Sequence, residues 1–257
     1  MTASSGDRFT CSVKGKCRPK LGVPYRACVG QTDVAAALAA EAATLQDVVS
    51  GLAETDLSLA SPCPPWTIGE LLCHVLIGAD RISQVLGEPA DAADPLITTV
   101  QYYRPDERFS VATNADRIET ARTLAASLGE PGAIAAELSL RYSESIELLT
   151  TAPADRTIRT RHGDRMLLTD FARTRVVELA VHGLDLALGL DRQPWMSGAA
   201  AGVLIDLLLP GGRGDEFCTR LNCDRVGLIS RLTGRATLPA AEEQLLAGAR
   251  ITQLSFG

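Results

Sequence analysis

Between Thr169 and Leu188 the chain carries Phe171, Val176, Val177, Leu179, Val181, Leu184, Leu186 and Leu188 at helical spacing that leaves little of the circumference polar. A helix that is apolar on nearly every side is stable only when other elements surround it, so this segment predicts a largely buried helix. It nevertheless holds Glu178, His182 and Asp185. Glu178 and His182 stand four residues apart and Asp185 follows a turn later, which puts all three on one face. A buried carboxylate without a partner is costly, so it must be protonated, paired or metal-bound. The fold must therefore wrap a helix whose interior face carries titratable groups.

At 257 residues the chain can bury a sizeable core as one domain, or one domain with a small appendage. Alanine and leucine dominate and aromatics make up only 4%, which favours helices over a β-sandwich. A formal charge of −6 argues against nucleic-acid partners, which need a basic face. No apolar run reaches membrane-spanning length, and Gly202–Leu209 is short and broken by Asp206. The N-terminus lacks a signal-peptide core, and seven cysteines without framework spacing fit a reducing cytoplasm. Residues 1–30 differ from the rest: six Lys/Arg against the single acid Asp7, with Cys11, Cys17 and Cys28 in no zinc-finger spacing. They read as a disordered tail.

Periodicity predicts a helix over 33–52. After the stiff connector Ser61-Pro-Cys-Pro-Pro65, a second helix opens on a capping box, Thr67 with Glu70, and runs to about Leu86. Trp66 and Leu71 flank that box as a hydrophobic staple. Residues 88–110 read as loop. Helices over 112–128 and 132–151 flank the breaker Gly129-Glu-Pro-Gly132. A small hairpin spans Arg156–Leu168, and shorter helices follow Pro194. The architecture this predicts is mainly α: a four-helix bundle over 31–190 with a small β-hairpin, and a C-terminal helical appendage over 191–257 packing on it.

Bundles of this kind build metal sites from inward-facing side chains on different helices. His74 lies on an apolar face of the capped helix, beside Gly78, which leaves room next to the ring. With Glu178 and His182 it would complete a His/His/Glu set that leaves a coordination position open. The competing reading is a hydrogen-bonded core histidine and a structural Arg175–Glu178 pair. Asp185 would orient the second imidazole nitrogen of His182.

The motif Cys63-Pro-Pro-Trp-Thr-Ile-Gly-Glu-Leu-Leu-Cys-His74 resembles the opening signature of the mycothiol-dependent maleylpyruvate isomerase family, within the DinB/YfiT-like superfamily. Arg175-Val-Val-Glu-Leu-Ala-Val-His-Gly-Leu-Asp185 is similar to that family's second signature. Asn114 and Leu232-Thr-Gly-Arg235 are similar to further family features. The resemblance covers about residues 31–235. It implies a DinB-like four-helix bundle holding a divalent metal, usually zinc, through His74, Glu178 and His182. It also implies mycothiol or a similar thiol as co-substrate. The expected activity is thiol S-transfer to a small organic electrophile, or its cis/trans isomerisation. Two other readings remain: a thiol-independent metalloenzyme of biosynthesis or detoxification, and a non-catalytic partner-binding bundle whose metal is structural, closed by a fourth ligand, or absent.

An anionic substrate calls for a cation near the metal. Arg104 is the first candidate, with Arg81 and Arg175 behind it, and Tyr102 and Tyr103 as pocket walls. His162 sits at an exposed hairpin tip and is left out. Cys73 diverges from His74 by about 100° around the helix and reads as a buried structural thiol. Cys218 and Cys223 read as free thiols. Gly211-Gly-Arg-Gly214 lacks the Lys-Ser/Thr of a phosphate loop. The expected partner is a small molecule, with no nucleic acid and no membrane, and the apolar helices leave room for a homodimer.

Overall fold

The structure, a computed structural model, describes residues 30–87, 93–104, 106, 110–247, 251 and 254. The basic segment with Cys11, Cys17 and Cys28 lies outside the described residues, except for Gly30. Four long helices form the bundle: α1 (Gln31–Ser50), α2 (Ile68–Ala79), α6 (Pro131–Thr151) and α7 (Leu168–Gly189). Both α1 and α2 pack against α6 and α7. Between them in sequence come α3 (Arg81–Gly87), α4 (Thr99–Tyr102) and α5 (Val111–Leu128), the last lying along α2. Four short helices complete the described chain: α8 (Gly198–Leu208), α9 (Gly214–Arg220), α10 (Arg225–Leu232) and α11 (Ala240–Leu246). Of these, α8 packs on α1 and α7, and α10 packs on α8. None of the described helices is long and apolar enough to cross a membrane.

The local signals act as their chemistry requires. Thr67 Oγ1 accepts from the Glu70 backbone N–H at 3.3 Å while Glu70 Oε2 accepts from the Thr67 N–H at 3.0 Å. Gly129 adopts φ 72° at the end of α5, a left-handed cap that costs glycine nothing, and Pro131 then opens α6. Along α7 nearly every side chain is buried, including the polar Asp170, Thr174, Arg175, His182 and Asp185. Each fully buried Leu or Val there contributes roughly 1.5–3 kcal/mol.

Two expectations need correction. The capped helix ends at Ala79 and restarts as α3, and donors on α6 meet the chain around this break. The Tyr142 hydroxyl donates to Val75 O at 3.2 Å, Ser145 Oγ donates to Ala79 O, and Arg141 binds Asp80 at 2.7 Å. Residues 88–110 are not wholly loop. Leu96–Ile97 form a strand, β1, that pairs in parallel with β3 (Arg165–Leu167), itself antiparallel to β2 (Thr157–Arg159). A two-residue strand has no sequence period to betray it, and only its partner 69 positions away defines it.

Candidate metal centre

Position 74 on α2 and positions 178 and 182 on α7 face each other across the bundle. One donor atom from each of His74, Glu178 and His182 lies within 4.8 Å of the other two. The imidazoles of His74 and His182 meet edge to face at 5.2 Å between centroids, and Glu178 Oε2 lies 3.7 Å from His182 Nε2. Trp66 stacks on His74 at 4.5 Å and 27°, walling the ring on one side. Room for Trp66 to do so comes from the proline loop folding back, with Ser61 N donating to Trp66 O at 3.0 Å.

Each donor is oriented by a neighbour. Asp185 Oδ2 sits 3.0 Å from His182 Nδ1, which leaves Nε2 directed at the cluster. Both Asp185 oxygens also accept from Arg235, at 3.0 and 3.1 Å. Burial pushes against ionisation of Asp185, but the hydrogen bonds from His182 and Arg235 outweigh it and hold the carboxyl at about 2. Burial keeps His74 well below the usual imidazole range, with His182 and nearby arginines adding to the effect, so the ring is neutral and one of its nitrogens stays available as an acceptor. Tyr103, only 3% exposed, places its hydroxyl 3.2 Å from Glu178 Oε1 and 3.1 Å from Thr174 O. The two Glu178 oxygens are thus divided, Oε1 toward Tyr103 and Oε2 toward His182. Tyr103→Phe is expected to weaken metal affinity about 10- to 100-fold while the apo protein's melting temperature stays put. Titration with a competing chelator measures it, and unchanged affinity would show that Tyr103 is only packing.

The three donors open into a cavity of about 670 Å³. Among the described residues five arginines line it (Arg81, Arg117, Arg159, Arg161 and Arg175) against two carboxylates, Asp116 and Glu178, so this lining is cationic. Arg175 is 9% exposed. Its Nε binds Thr174 Oγ1 at 3.0 Å and its guanidinium lies 5.1 Å above the Phe171 ring. Among the described residues no carboxylate comes within ion-pair distance of it, Glu178 included, so the structural Arg175–Glu178 pair is not formed. A Cβ on Gly78 would stand 3.9 Å from an Arg175 terminal nitrogen, so the gap beside His74 admits this guanidinium.

Arg104 is drawn away from the site. It pairs with Asp106 at 2.9 Å and Asp164 at 2.7 Å, is half exposed, and does not line the cavity. Asp164 sits on the hairpin turn, a partner 60 positions away that no local pattern reveals. His162, read as exposed and outside the site, is half-buried, lines the cavity and lies 6.2 Å from the Tyr102 ring. The pairing of β1 with β3 carries the hairpin tip over α4, which explains both differences. Cys73 is fully buried, and burial pushes its thiol up to about 12. Cys63 stands on the far side of His182, beside Asp185, where burial and that carboxylate raise its thiol likewise to about 12.

Comparison with known proteins agrees with the two motifs. No curated protein matches the chain. The crystal structure of the mycothiol-dependent maleylpyruvate isomerase is similar with a TM-score of 0.48 and 12% identity, over 71% of this chain and 70% of that one. A histidine-to-alanine mutant of it gives 0.47 and 11% over the same shares. The profile of the family described as mycothiol maleylpyruvate isomerase N-terminal domain matches residues 38–187, which span α1 to α7 and all three donors. With more than half of its length under that profile, the chain belongs to the mycothiol maleylpyruvate isomerase N-terminal domain family.

Proposed function

We propose that the chain is a metal-dependent enzyme that uses a low-molecular-weight thiol of the mycothiol type to isomerise a small anionic conjugated acceptor. The observation that carries this reading is a His74/Glu178/His182 donor set opening into a cavity lined by five arginines. Two neutral imidazoles and one carboxylate suit a divalent ion, zinc first. Such an ion would supply the Lewis acidity that lowers a thiol's pKa and delivers a thiolate at neutral pH.

The chain's own residues supply the rest. Asp185 fixes the His182 tautomer, Tyr103 holds one oxygen of Glu178, and Trp66 shields His74. Arg175 anchors the acceptor's carboxylate and stabilises the negative charge that develops as the thiolate adds. Addition forms a C–S bond and converts the acceptor's double bond to a single one. Rotation about that bond and expulsion of the same thiolate restore the double bond in the trans arrangement, with the thiol regenerated. If the adduct instead takes a proton at carbon and leaves, the same nucleophile performs S-transfer. A non-catalytic bundle would need a closed site, but Asp185, the obvious fourth donor, is engaged by His182 Nδ1 and Arg235.

The test is turnover of maleylpyruvate, followed by proton NMR, with and without mycothiol. Isomerisation that depends on thiol and does not consume it is expected. One thiol consumed per acceptor would move the assignment to S-transfer. Equal turnover without thiol would remove the thiol from the mechanism.

A further inference from the structure

A second cavity, about 460 Å³, adjoins the first at Trp66 and Arg117, which line both spaces. Its floor is the Asp185–Arg235 pair, one wall is the proline loop with Cys63, and the other is the α5 face bearing Asn114 and Ile118. Its charge character differs from that of the first cavity. Arg235 is paired with Asp185, both of whose oxygens it binds, and the remaining charge of the described lining is Arg117, shared with the first cavity, whose NH1 donates to Asn114 Oδ1 at 2.8 Å. What the walls offer is flat apolar surface (the rings of Pro62, Pro64, Pro65 and Trp66) set beside planar amide, guanidinium and carboxylate groups. An uncharged polyhydroxylated ring system suits that mixture: its C–H faces lie on the apolar rings while its hydroxyls exchange hydrogen bonds with Asn114, Arg117, Asp185 and Arg235. An acid suits the first cavity better, where the arginines of the described lining outnumber the carboxylates.

We infer that the second cavity binds the neutral polyol head of the co-substrate thiol, with Asn114 as its chief recognition residue, while the first cavity takes the anionic acceptor. This rests on the thiol-dependent reading above and adds to it a division of labour. The two cavities meet at Trp66 and Arg117, and from there the thiol's sulfur end reaches toward the donors. Sorting by charge keeps the acid out of the thiol's place, and the polyol out of the arginine-lined cavity.

The probe is N-acetylglucosaminyl-inositol, the neutral, sulfur-free portion of mycothiol, titrated into the full-length metal-loaded protein by calorimetry. Binding is expected, weakened at least about tenfold by Asn114→Ala, a loss of roughly 1.4 kcal/mol. Ile118→Trp, which fills the cavity from α5, is expected to abolish it, and circular dichroism verifies that both variants fold. N-acetylcysteine, which lacks the polyol, should not compete with the probe. If mycothiol supports turnover but the probe does not bind, or binds both variants as well as the wild type, this inference is overturned and the thiol-dependent reading stands. If the probe binds and both variants weaken it, yet no thiol supports turnover, the subsite stands and the reading above falls.

Discussion

Replacing His74 with alanine is expected to strip the protein of its metal. The wild type, purified without added metal, should carry about one equivalent of a divalent ion per chain, and the variant less than about a tenth of that. Elemental analysis by mass spectrometry reads this directly. The His74 ring contributes one donor of the His74/Glu178/His182 set, and the remaining Glu178 and His182 stand on a single helix. Folding linkage provides a second readout that needs no substrate. Zinc at about a thousandfold over its dissociation constant stabilises a folded site by roughly 4 kcal/mol, so added zinc should raise the wild-type melting temperature and leave His74→Ala unmoved. A wild type that takes up no metal after reconstitution with zinc, iron or nickel would end the metalloenzyme reading.

The second large effect is expected from Arg175→Met. Methionine keeps an apolar stem of similar length against Phe171 and removes the guanidinium. For an anionic acceptor such as maleylpyruvate, kcat/KM should fall about 10²- to 10³-fold, the loss typical of a charge-assisted anchor that also meets transition-state charge. For an uncharged maleate diester it should change little. Stability should move little. The guanidinium is only 9% exposed and burial opposes its charge, but Glu178 and the neighbouring tyrosines offset that cost, so its removal leaves the melting temperature within a few degrees of the wild type. Loss of function without loss of stability distinguishes a site residue from a structural one. A variant that melts well below the wild type and loses both acceptors alike would place Arg175 in the scaffold.

The donor set itself was legible because it depends on interactions within a few residues. Glu178, His182 and Asp185 share a face through helical geometry alone, and the Thr67/Glu70 box fixed where the His74 helix begins. The same locality explains what misled. Arg104 follows Tyr102-Tyr103 on a segment correctly placed next to the site, but whether its side chain enters depends on Asp164 in the hairpin turn. Tyr103 was visible only as a pocket wall, since its bond to Glu178 joins residues 75 positions apart. Asn114 and Arg235 stand out in the sequence only as family features, and the second cavity that unites them is assembled from four separate stretches of chain.

By itself the sequence determined the helices, their caps and a buried face with a carboxylate and an imidazole one turn apart, because periodicity and capping are set by neighbours along the chain. Only the tertiary structure decided which arginine faces the donors, which tyrosine holds the carboxylate and where a second ligand has room. Those outcomes depend on packing between elements 60 or more positions apart, such as the two-residue strand Leu96–Ile97 against Arg165–Met166, whose pairing no local pattern records.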